Sequence, residues 1–142
     1  MGPRRILIVE DNRADVYLIR EAIESTAIRV EVQVATDGEE AIRLIQKWKA
    51  DEKEPCPDLV LLDINLPRKS GAEVLRHLRS SERCRETVVM VVSTSDSPQD
   101  REKMMALGAD RYFRKPSEYE DFLKLGGVIA ELLEGKSPRA DH

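Results

Sequence analysis

Five short strand-like stretches, each followed by a segment with helical spacing, constrain the fold of this chain more than any other feature. The stretches are Ile6–Val9, Val30–Val34, Leu59–Leu62, Val88–Val92 and Arg111–Arg114. Between them, apolar residues recur every three or four positions, as do Val16, Ile19 and Ile23. Strands that alternate with helices form βα units, in which successive strands are parallel. The pattern therefore predicts an α/β domain with five parallel strands and five helices.

The composition of each strand predicts its place in the sheet. A central parallel strand is covered on both faces and is apolar throughout, as the first, third and fourth stretches are. In the second stretch valines alternate with the polar residues Glu31 and Gln33, and the fifth stretch begins and ends with arginine. Both patterns are typical of edge strands. We therefore expect the order 2-1-3-4-5, a flavodoxin-like doubly wound fold whose ligand crevice lies at the carboxyl ends of the strands. Another α/β strand order is the alternative.

Length and charge exclude several classes of protein. The 142 residues suit a single domain over 1–142, with a core of about 5–133 and a short polar tail over 135–142. The apolar runs are far shorter than the ~20 residues that cross a bilayer, and no signal peptide is evident, so we expect a cytoplasmic protein. The net charge of −4 argues against a nucleic-acid partner. Cys56 and Cys84 lack metal-ligand spacing and are expected to be reduced thiols.

Polar side chains follow four of the predicted strands at the point where each strand ends. These residues are Glu10, Asp11, Asp63, Asn65, Ser93, Thr94 and Lys115. Because the carboxyl ends of parallel strands meet at one edge of the sheet, we expect the side chains to share a small crevice. The crevice would then hold three carboxylates, a hydroxyl group and one ammonium group.

This combination of groups predicts chemistry with a metal ion and a phosphoryl group. Three neighbouring carboxylates repel one another, and a hard cation such as Mg²⁺ relieves that repulsion. Lys115 can pair with Asp63 or with a phosphoryl group on it, and Ser93 can donate a hydrogen bond to a phosphoryl oxygen. A carboxylate nucleophile in such a site forms an acyl phosphate.

The motifs around these residues resemble those of bacterial response regulator receiver domains from about Arg5 to Leu133. The matching segments are Leu7–Asp11, Leu61–Pro67 with Gly71, Ser93-Thr94, Gly108-Ala109 and Lys115-Pro116. Other details are similar to the small regulators paired with cyanobacterial and bacterial phytochromes. They are Glu10–Asn12 with Asp15, the long loop before Pro57, and Asp63–Gly71.

The resemblance implies a role for each carboxylate and for Asn65. Asp63 would accept a phosphoryl group from a histidine kinase. Asp11 and Asp63 would ligate Mg²⁺ directly, Glu10 would act through water, and Asn65 would contribute its backbone carbonyl.

The resemblance also assigns the residues that respond to the phosphoryl group. Ser93, with Thr94 beside it, would be the switch hydroxyl, and Lys115 would contact the phosphate. Tyr112 would be the aromatic residue that changes rotamer. A cis peptide bond before Pro116 would shape the loop, since cis bonds are largely confined to proline.

The expected partner is a sensor histidine kinase, and the resemblance to phytochrome-paired regulators implies a phytochrome-like one. The domain would catalyse only its own phosphorylation and dephosphorylation, so it is not expected to be an enzyme in the usual sense. No output domain is expected after the last helix. A homodimer through the fourth helix, fifth strand and fifth helix is predicted, although Ser117 replaces a bulky apolar residue often found near this face.

Other functions compete with this interpretation. A haloacid-dehalogenase-type phosphatase also phosphorylates an aspartate at a strand end, but it needs a second aspartate where this chain has Asn65. A flavodoxin-like electron carrier needs a phosphate cradle, whereas Glu10 and Asp11 would repel a flavin phosphate. A phosphate sink, which only drains phosphoryl groups from a kinase, is a further alternative. A degenerate receiver that acts only as a scaffold is less economical, because every type of site residue is present.

Overall fold

Five parallel strands form one sheet in the computed structural model, which describes residues 2–134. The strands are β1 (Arg4–Val9), β2 (Val30–Ala35), β3 (Leu59–Leu62), β4 (Val88–Ser93) and β5 (Arg111–Arg114). They lie in the order β2-β1-β3-β4-β5, and each neighbouring pair is parallel. The flavodoxin-like order predicted from the sequence is therefore confirmed, with β2 and β5 at the edges. The predicted tail, 135–142, lies outside the described residues.

Helices connect the strands and cover both faces of the sheet. They are α1 (Arg13–Glu24), α2 (Gly38–Ala50), α3 (Gly71–Ser80), α4 (Pro98–Ala106), α5 (Tyr119–Leu123) and α6 (Leu125–Leu133). The first four begin at side-chain caps, which accept a hydrogen bond from a backbone N–H three residues later; the caps are Asn12, Asp37, Ser70 and Ser97. Across residues 2–134, none of these helices has the length and apolar character needed to span a membrane.

The last helical region is divided at Lys124 into α5 and α6. The sequence predicts a close-packing position or a kink at Gly126-Gly127, and Gly126 fulfils the first role. A Cβ atom at Gly126 would lie 2.4 Å from the carbonyl oxygen of Ala22, so α6 can approach α1 only because this side chain is absent. Gly127 faces open space.

Two apolar layers sandwich the sheet, because successive side chains of each strand point to opposite faces. Leu7, Val60 and Val89 pack on the face covered by α2, α3 and α4. Ile6, Leu59 and Met90 pack on the face covered by α1, α5 and α6. Every residue of β3 is buried, and Asp63 follows it directly. Asp63 therefore lies at the carboxyl-terminal end of a central strand.

The amino-terminal edge of the sheet carries a disulfide between Cys56 and Cys84, whose Cα atoms are 5.5 Å apart. The prediction of two reduced thiols is therefore wrong. The two cysteines are 28 positions apart in sequence. The fold brings the loop before β3 against the connection between α3 and β4, and this juxtaposition has no local signature in the sequence.

Two arginines strengthen the same edge. Arg83 donates hydrogen bonds to four backbone carbonyls around the end of α2, those of Trp48, Asp51, Glu52 and Glu54. Arg79 donates to the carbonyls of Gly108 and Thr87 and forms a 3.0 Å ion pair with Asp110. Together with the disulfide, these contacts join the connections that lead into β3, β4 and β5.

Candidate metal and phosphoryl-transfer site

Three carboxylates meet at the opposite, carboxyl-terminal edge. Glu10 and Asp11 follow β1, and Asp63 follows the adjacent strand β3, in which Leu62 pairs with Val9. The backbone N–H of Asp63 continues this pairing with a 3.0 Å hydrogen bond to the carbonyl of Val9. One carboxylate oxygen from each acidic residue lies within 4.8 Å of the others. The structure thus brings together the three carboxylates singled out from the sequence.

Burial makes this concentration of negative charge costly. Glu10 is 1% exposed and Asp63 is 9% exposed, whereas Asp11 lies at the surface. Burial raises the pKa of Glu10 to about 7, and the charge of Asp63 adds to the rise, although a hydrogen bond from Lys115 opposes it. A cation bound between the carboxylates would remove this penalty.

Lys115 supplies the one buried ammonium group of the site among residues 2–134. Its Nζ lies 2.6 Å from Glu10 Oε1, 2.8 Å from Asp15 Oδ2 and 3.5 Å from Asp63 Oδ2. Burial opposes the charged form, but the carboxylates of Asp15 and Glu10 outweigh it and raise the pKa of Lys115 above its ordinary value. The sequence includes Asp15 in a motif but assigns it no contact, because only the fold brings the first turn of α1 beside the end of β5.

The predicted switch residues lie on the neighbouring strand. Ser93 ends β4, is fully buried, and its Oγ accepts a hydrogen bond from the backbone N–H of Ser95. Thr94 is exposed and, with Lys115 and Ser117, lines an open cleft of about 400 Å³. Ser93 and Thr94 therefore occupy the sheet edge expected for them, one facing inward and the other outward.

Tyr112 on β5 is half-buried and contacts the loop that follows Ser93. Its hydroxyl donates a 2.9 Å hydrogen bond to the carbonyl of Ser95, and the guanidinium of Arg101 lies 5.2 Å from the ring centroid. This cation–π contact is of the kind worth about 0.5–1 kcal/mol at exposed sites. Tyr112 thus links β5 to the β4–α4 loop and to α4.

The peptide bond before Pro116 is trans, so the predicted cis bond is not found in residues 2–134. The trans form is the ordinary preference even before proline, by about 0.5–1 kcal/mol. Lys115 reaches all three of its carboxylate partners with this trans bond, and its backbone N–H donates to the carbonyl of Ser93 over 2.7 Å.

The turn after β3 places Asn65 at the surface, two residues beyond Asp63. Oδ1 of Asp63 accepts a 2.8 Å hydrogen bond from the N–H of Ile64. The N–H of Gly71 donates to the carbonyl of Ile64, and a Cβ atom at Gly71 would lie 2.4 Å from the carbonyl oxygen of Asp63. Helix α3 therefore begins against the backbone of Asp63, an approach that only glycine permits.

The donor set suits a hard divalent cation. The clustered groups are carboxylates, which together with water and carbonyl oxygens are the ligands that Mg²⁺ and similar ions prefer. Their oxygens are close enough for one ion to contact more than one of them. The acidic edge of the sheet is thus compatible with a divalent metal site.

Comparisons with known proteins agree with this geometry. The model of the response regulator receiver domain family matches residues 6–125. Response regulator Rcp1 from Synechocystis sp. is 33% identical over 133 residues, which cover 93% of this chain and 90% of Rcp1.

Two solved structures are similar in both sequence and fold. The Mn²⁺-bound form of response regulator Rcp1 is 32% identical, with a TM-score of 0.84 over 94% of this chain and 97% of Rcp1. The phosphorylated cyanobacterial phytochrome response regulator RcpA is also 32% identical, with a TM-score of 0.84 over 94% of this chain and 96% of RcpA. Sequence, strand order and acidic sheet edge therefore lead to one conclusion: this chain belongs to the receiver domain family of two-component response regulators.

Proposed function

We propose that this receiver accepts a phosphoryl group on Asp63 from a sensor histidine kinase and thereby changes its binding to a partner. The observation that carries the proposal is the position of the Asp63 carboxylate. It is buried, lies beside the carboxylates of Glu10 and Asp11, and has Lys115 Nζ 3.5 Å from its Oδ2. A lone capping aspartate would have none of these companions.

The two oxygens of Asp63 have different environments, and this difference assigns the attacking atom. Oδ1 is held by the N–H of Ile64, whereas Oδ2 faces Lys115. We assign Oδ2 as the nucleophile: it forms a bond to phosphorus while the phosphorus–nitrogen bond of a phosphohistidine breaks. The electron pair of that bond returns to the imidazole nitrogen, and Lys115 stabilises the phosphoryl oxygens on Asp63.

We infer that Mg²⁺ is the resident metal. Asp11 and Asp63 would hold it directly, Glu10 would hold it through water, and Asn65 would contribute its backbone carbonyl. The ion would neutralise charge on the phosphoryl group during transfer. The Mn²⁺ in the structure of Rcp1 is consistent with a site for a hard divalent ion.

The response to phosphorylation would pass from Ser93 to Tyr112. The Ser93 hydroxyl would donate to a phosphoryl oxygen, with Thr94 next to it at the mouth of the site. Movement of the loop after Ser93 would disturb the hydrogen bond between Tyr112 and the carbonyl of Ser95. The surface of α4 and β5 would change as a result, as in a two-state switch driven by a local charge.

Receiver domains are in general signalling modules without an enzymatic activity of their own. We propose that this chain follows that rule over a single domain, 1–142, and catalyses only its own phosphorylation and dephosphorylation. We propose a cytoplasmic location, a phytochrome-like kinase as the partner and no nucleic-acid target.

The phosphatase alternative is not favoured, because Asn65 stands where that chemistry needs a second aspartate and its side chain cannot serve as a general acid or base.

A small phosphodonor tests the proposal directly. In buffer with Mg²⁺, acetyl phosphate or phosphoramidate is expected to add the mass of one phosphoryl group, and peptide mapping after reduction of the acyl phosphate should locate it at Asp63. Chelation of the metal is expected to prevent the modification. A phosphoryl group found on a histidine or serine instead would contradict the proposal.

Replacing Asp11 with alanine is expected to abolish Mg²⁺ binding and to stop phosphorylation. Asp11 would be one of only two carboxylates in direct contact with the ion, and the wild-type affinity is already expected to be weak because water completes the octahedron. Calorimetry and NMR shifts near residue 11 would measure the binding. Asp96→Ala serves as a control, since Asp96 is exposed and pairs with Arg114 outside the cluster. Wild-type affinity in Asp11→Ala would contradict the assignment.

A homodimer through α4, β5 and the α5–α6 region is our proposal for the assembly that the switch controls. This face carries the exposed Met105 and the half-buried Tyr112, whose ring faces Arg101. Sedimentation velocity is expected to show a dimer whose population changes when the phosphoryl mimic BeF₃⁻ is added. Tyr112→Ala should lose that change, and a monomer at high concentration with and without BeF₃⁻ would disprove the dimer.

A further inference from the structure

Lys115 is not centred on Asp63 in this structure. Its ammonium lies closer to Glu10, at 2.6 Å, and to Asp15, at 2.8 Å, than to Asp63, at 3.5 Å. The resemblance to receivers gives Lys115 a role at the phosphoryl group but gives Asp15 none. The distances raise the question of what Asp15 does to the lysine.

Asn12 contacts both residues whose carboxylates bind the ammonium, Glu10 at its side chain and Asp15 at its backbone. Its backbone N–H donates to Oε2 of Glu10 over 3.1 Å, which leaves Oε1 directed at Lys115. Its side-chain Oδ1 accepts the N–H of Asp15 over 3.0 Å and caps α1 at the same time. Asn12 therefore orients the carboxylate of Glu10 and fixes the backbone position of Asp15, and both carboxylates lie beside Lys115.

The position of Asp15 suits a partner that can be exchanged. Its side chain is 23% exposed, against 2% for that of Glu10, so its carboxylate can be rehydrated when the lysine leaves. A partly hydrated carboxylate loses less on separation from an ammonium than a fully buried one does. Of the two carboxylates, that of Asp15 is therefore the one from which Lys115 can separate at the lower cost in free energy.

We propose that Asp15 is a positioning residue that competes with the phosphoryl group on Asp63 for the ammonium of Lys115. This inference rests on the proposed function of Asp63. Before phosphorylation, Asp15 holds Lys115 towards α1. A phosphoryl group on Asp63 must draw the lysine away, and breaking the Asp15 contact subtracts from the stability of the phosphorylated state. Asp15 thereby sets how strongly the site retains a phosphoryl group.

The test compares the affinities of wild type and Asp15→Asn for BeF₃⁻ in Mg²⁺ buffer, measured by ¹⁹F NMR. Asparagine keeps the size of the side chain and removes its charge, so the lysine should be released more easily. We expect BeF₃⁻ to bind roughly three- to fivefold more tightly, the upper part of the range for an exposed ion pair. Asp15→Ala, checked for folding by circular dichroism, should shift the affinity in the same direction.

A matched control separates competition for Lys115 from a general loss of negative charge. Glu24→Gln removes the same charge at the exposed far end of α1 and should change the affinity less than twofold. The gain from Asp15→Asn should also disappear when it is made in a Lys115→Met background, because there is then no ammonium to release. A gain that persists without the lysine would overturn the proposal.

The ¹⁵N NMR signal of the Lys115 ammonium gives a second measurement. If Asp15 only stabilised the fold, Asp15→Asn would leave this signal unchanged. Without BeF₃⁻ the signal should differ between wild type and Asp15→Asn, and with BeF₃⁻ the two signals should converge. If wild type fails to bind BeF₃⁻ at all, the proposed function of Asp63 fails. If wild type and Asp15→Asn bind BeF₃⁻ equally, only the role of Asp15 is refuted.

Discussion

Replacing Asp63 with asparagine is expected to abolish phosphorylation while leaving the fold intact. The amide cannot act as the carboxylate nucleophile that we assign to Asp63, and its neighbour Glu10 is already bound by Lys115 at 2.6 Å. The substitution also removes one negative charge from a group whose oxygens lie within 4.8 Å of one another. We therefore expect the melting temperature in metal-free buffer to equal or exceed that of wild type.

Intact-mass spectrometry after treatment with acetyl phosphate in Mg²⁺ measures this effect, and differential scanning calorimetry measures stability. Asp58→Asn is a matched control, because Asp58 immediately precedes β3 as Asp63 immediately follows it. Asp58 is exposed and accepts the N–H of Arg5 at the opposite edge of the sheet. Asp58→Asn should be phosphorylated like wild type. Equal modification of Asp63→Asn would refute the assignment of the phosphoacceptor.

Reduction of the disulfide between Cys56 and Cys84 is expected to lower the free energy of unfolding by roughly 3–4 kcal/mol. In the chain-entropy model, a cross-link across a separation of 28 residues removes about this much conformational freedom from the unfolded chain. The folded state should change little, because Arg83 and the hydrogen bond from Thr87 to the carbonyl of Pro57 hold the same loop independently.

Urea denaturation of the oxidised and reduced protein measures this difference. A variant with both cysteines replaced by alanine should match the reduced protein and should not respond to reductant. Mass spectrometry after alkylation would establish the thiol state of each sample. Equal midpoints for oxidised and reduced protein would show that the disulfide contributes nothing to stability, contrary to this expectation.

The fold could be predicted from the sequence because the burial of each strand determines its pattern of apolar and polar residues. A strand covered on both faces, such as β3, is apolar at every position, and an edge strand, such as β2, alternates. Those two patterns identify β2 and β5 as the edge strands, which is what the flavodoxin-like order requires. The site could be anticipated for the same reason, since the ends of the strands locate Glu10, Asp63 and Lys115 at a common edge.

Features that depend on contacts between distant loops could not be predicted in this way. The disulfide joins Cys56 to Cys84 across two connections whose approach has no periodic signal. The contact between Asp15 and Lys115 joins the start of α1 to the end of β5, 100 positions away. The trans bond before Pro116 differs from the expectation taken from resemblance, because a family tendency does not determine the isomer in one chain.

The cross-links at the amino-terminal edge of the sheet make the molecule mechanically asymmetric. Arg79, Arg83 and the disulfide hold together the three successive connections that lead into β3, β4 and β5. The loop beyond Ser93, at the opposite edge, carries no disulfide and is held by hydrogen bonds such as that from Tyr112 to the carbonyl of Ser95. A change of charge at Asp63 is therefore expected to displace the hydrogen-bonded loop more readily than the disulfide-linked edge. The domain would then transmit a signal by rearranging the loops at one edge of the sheet while the other edge stays fixed.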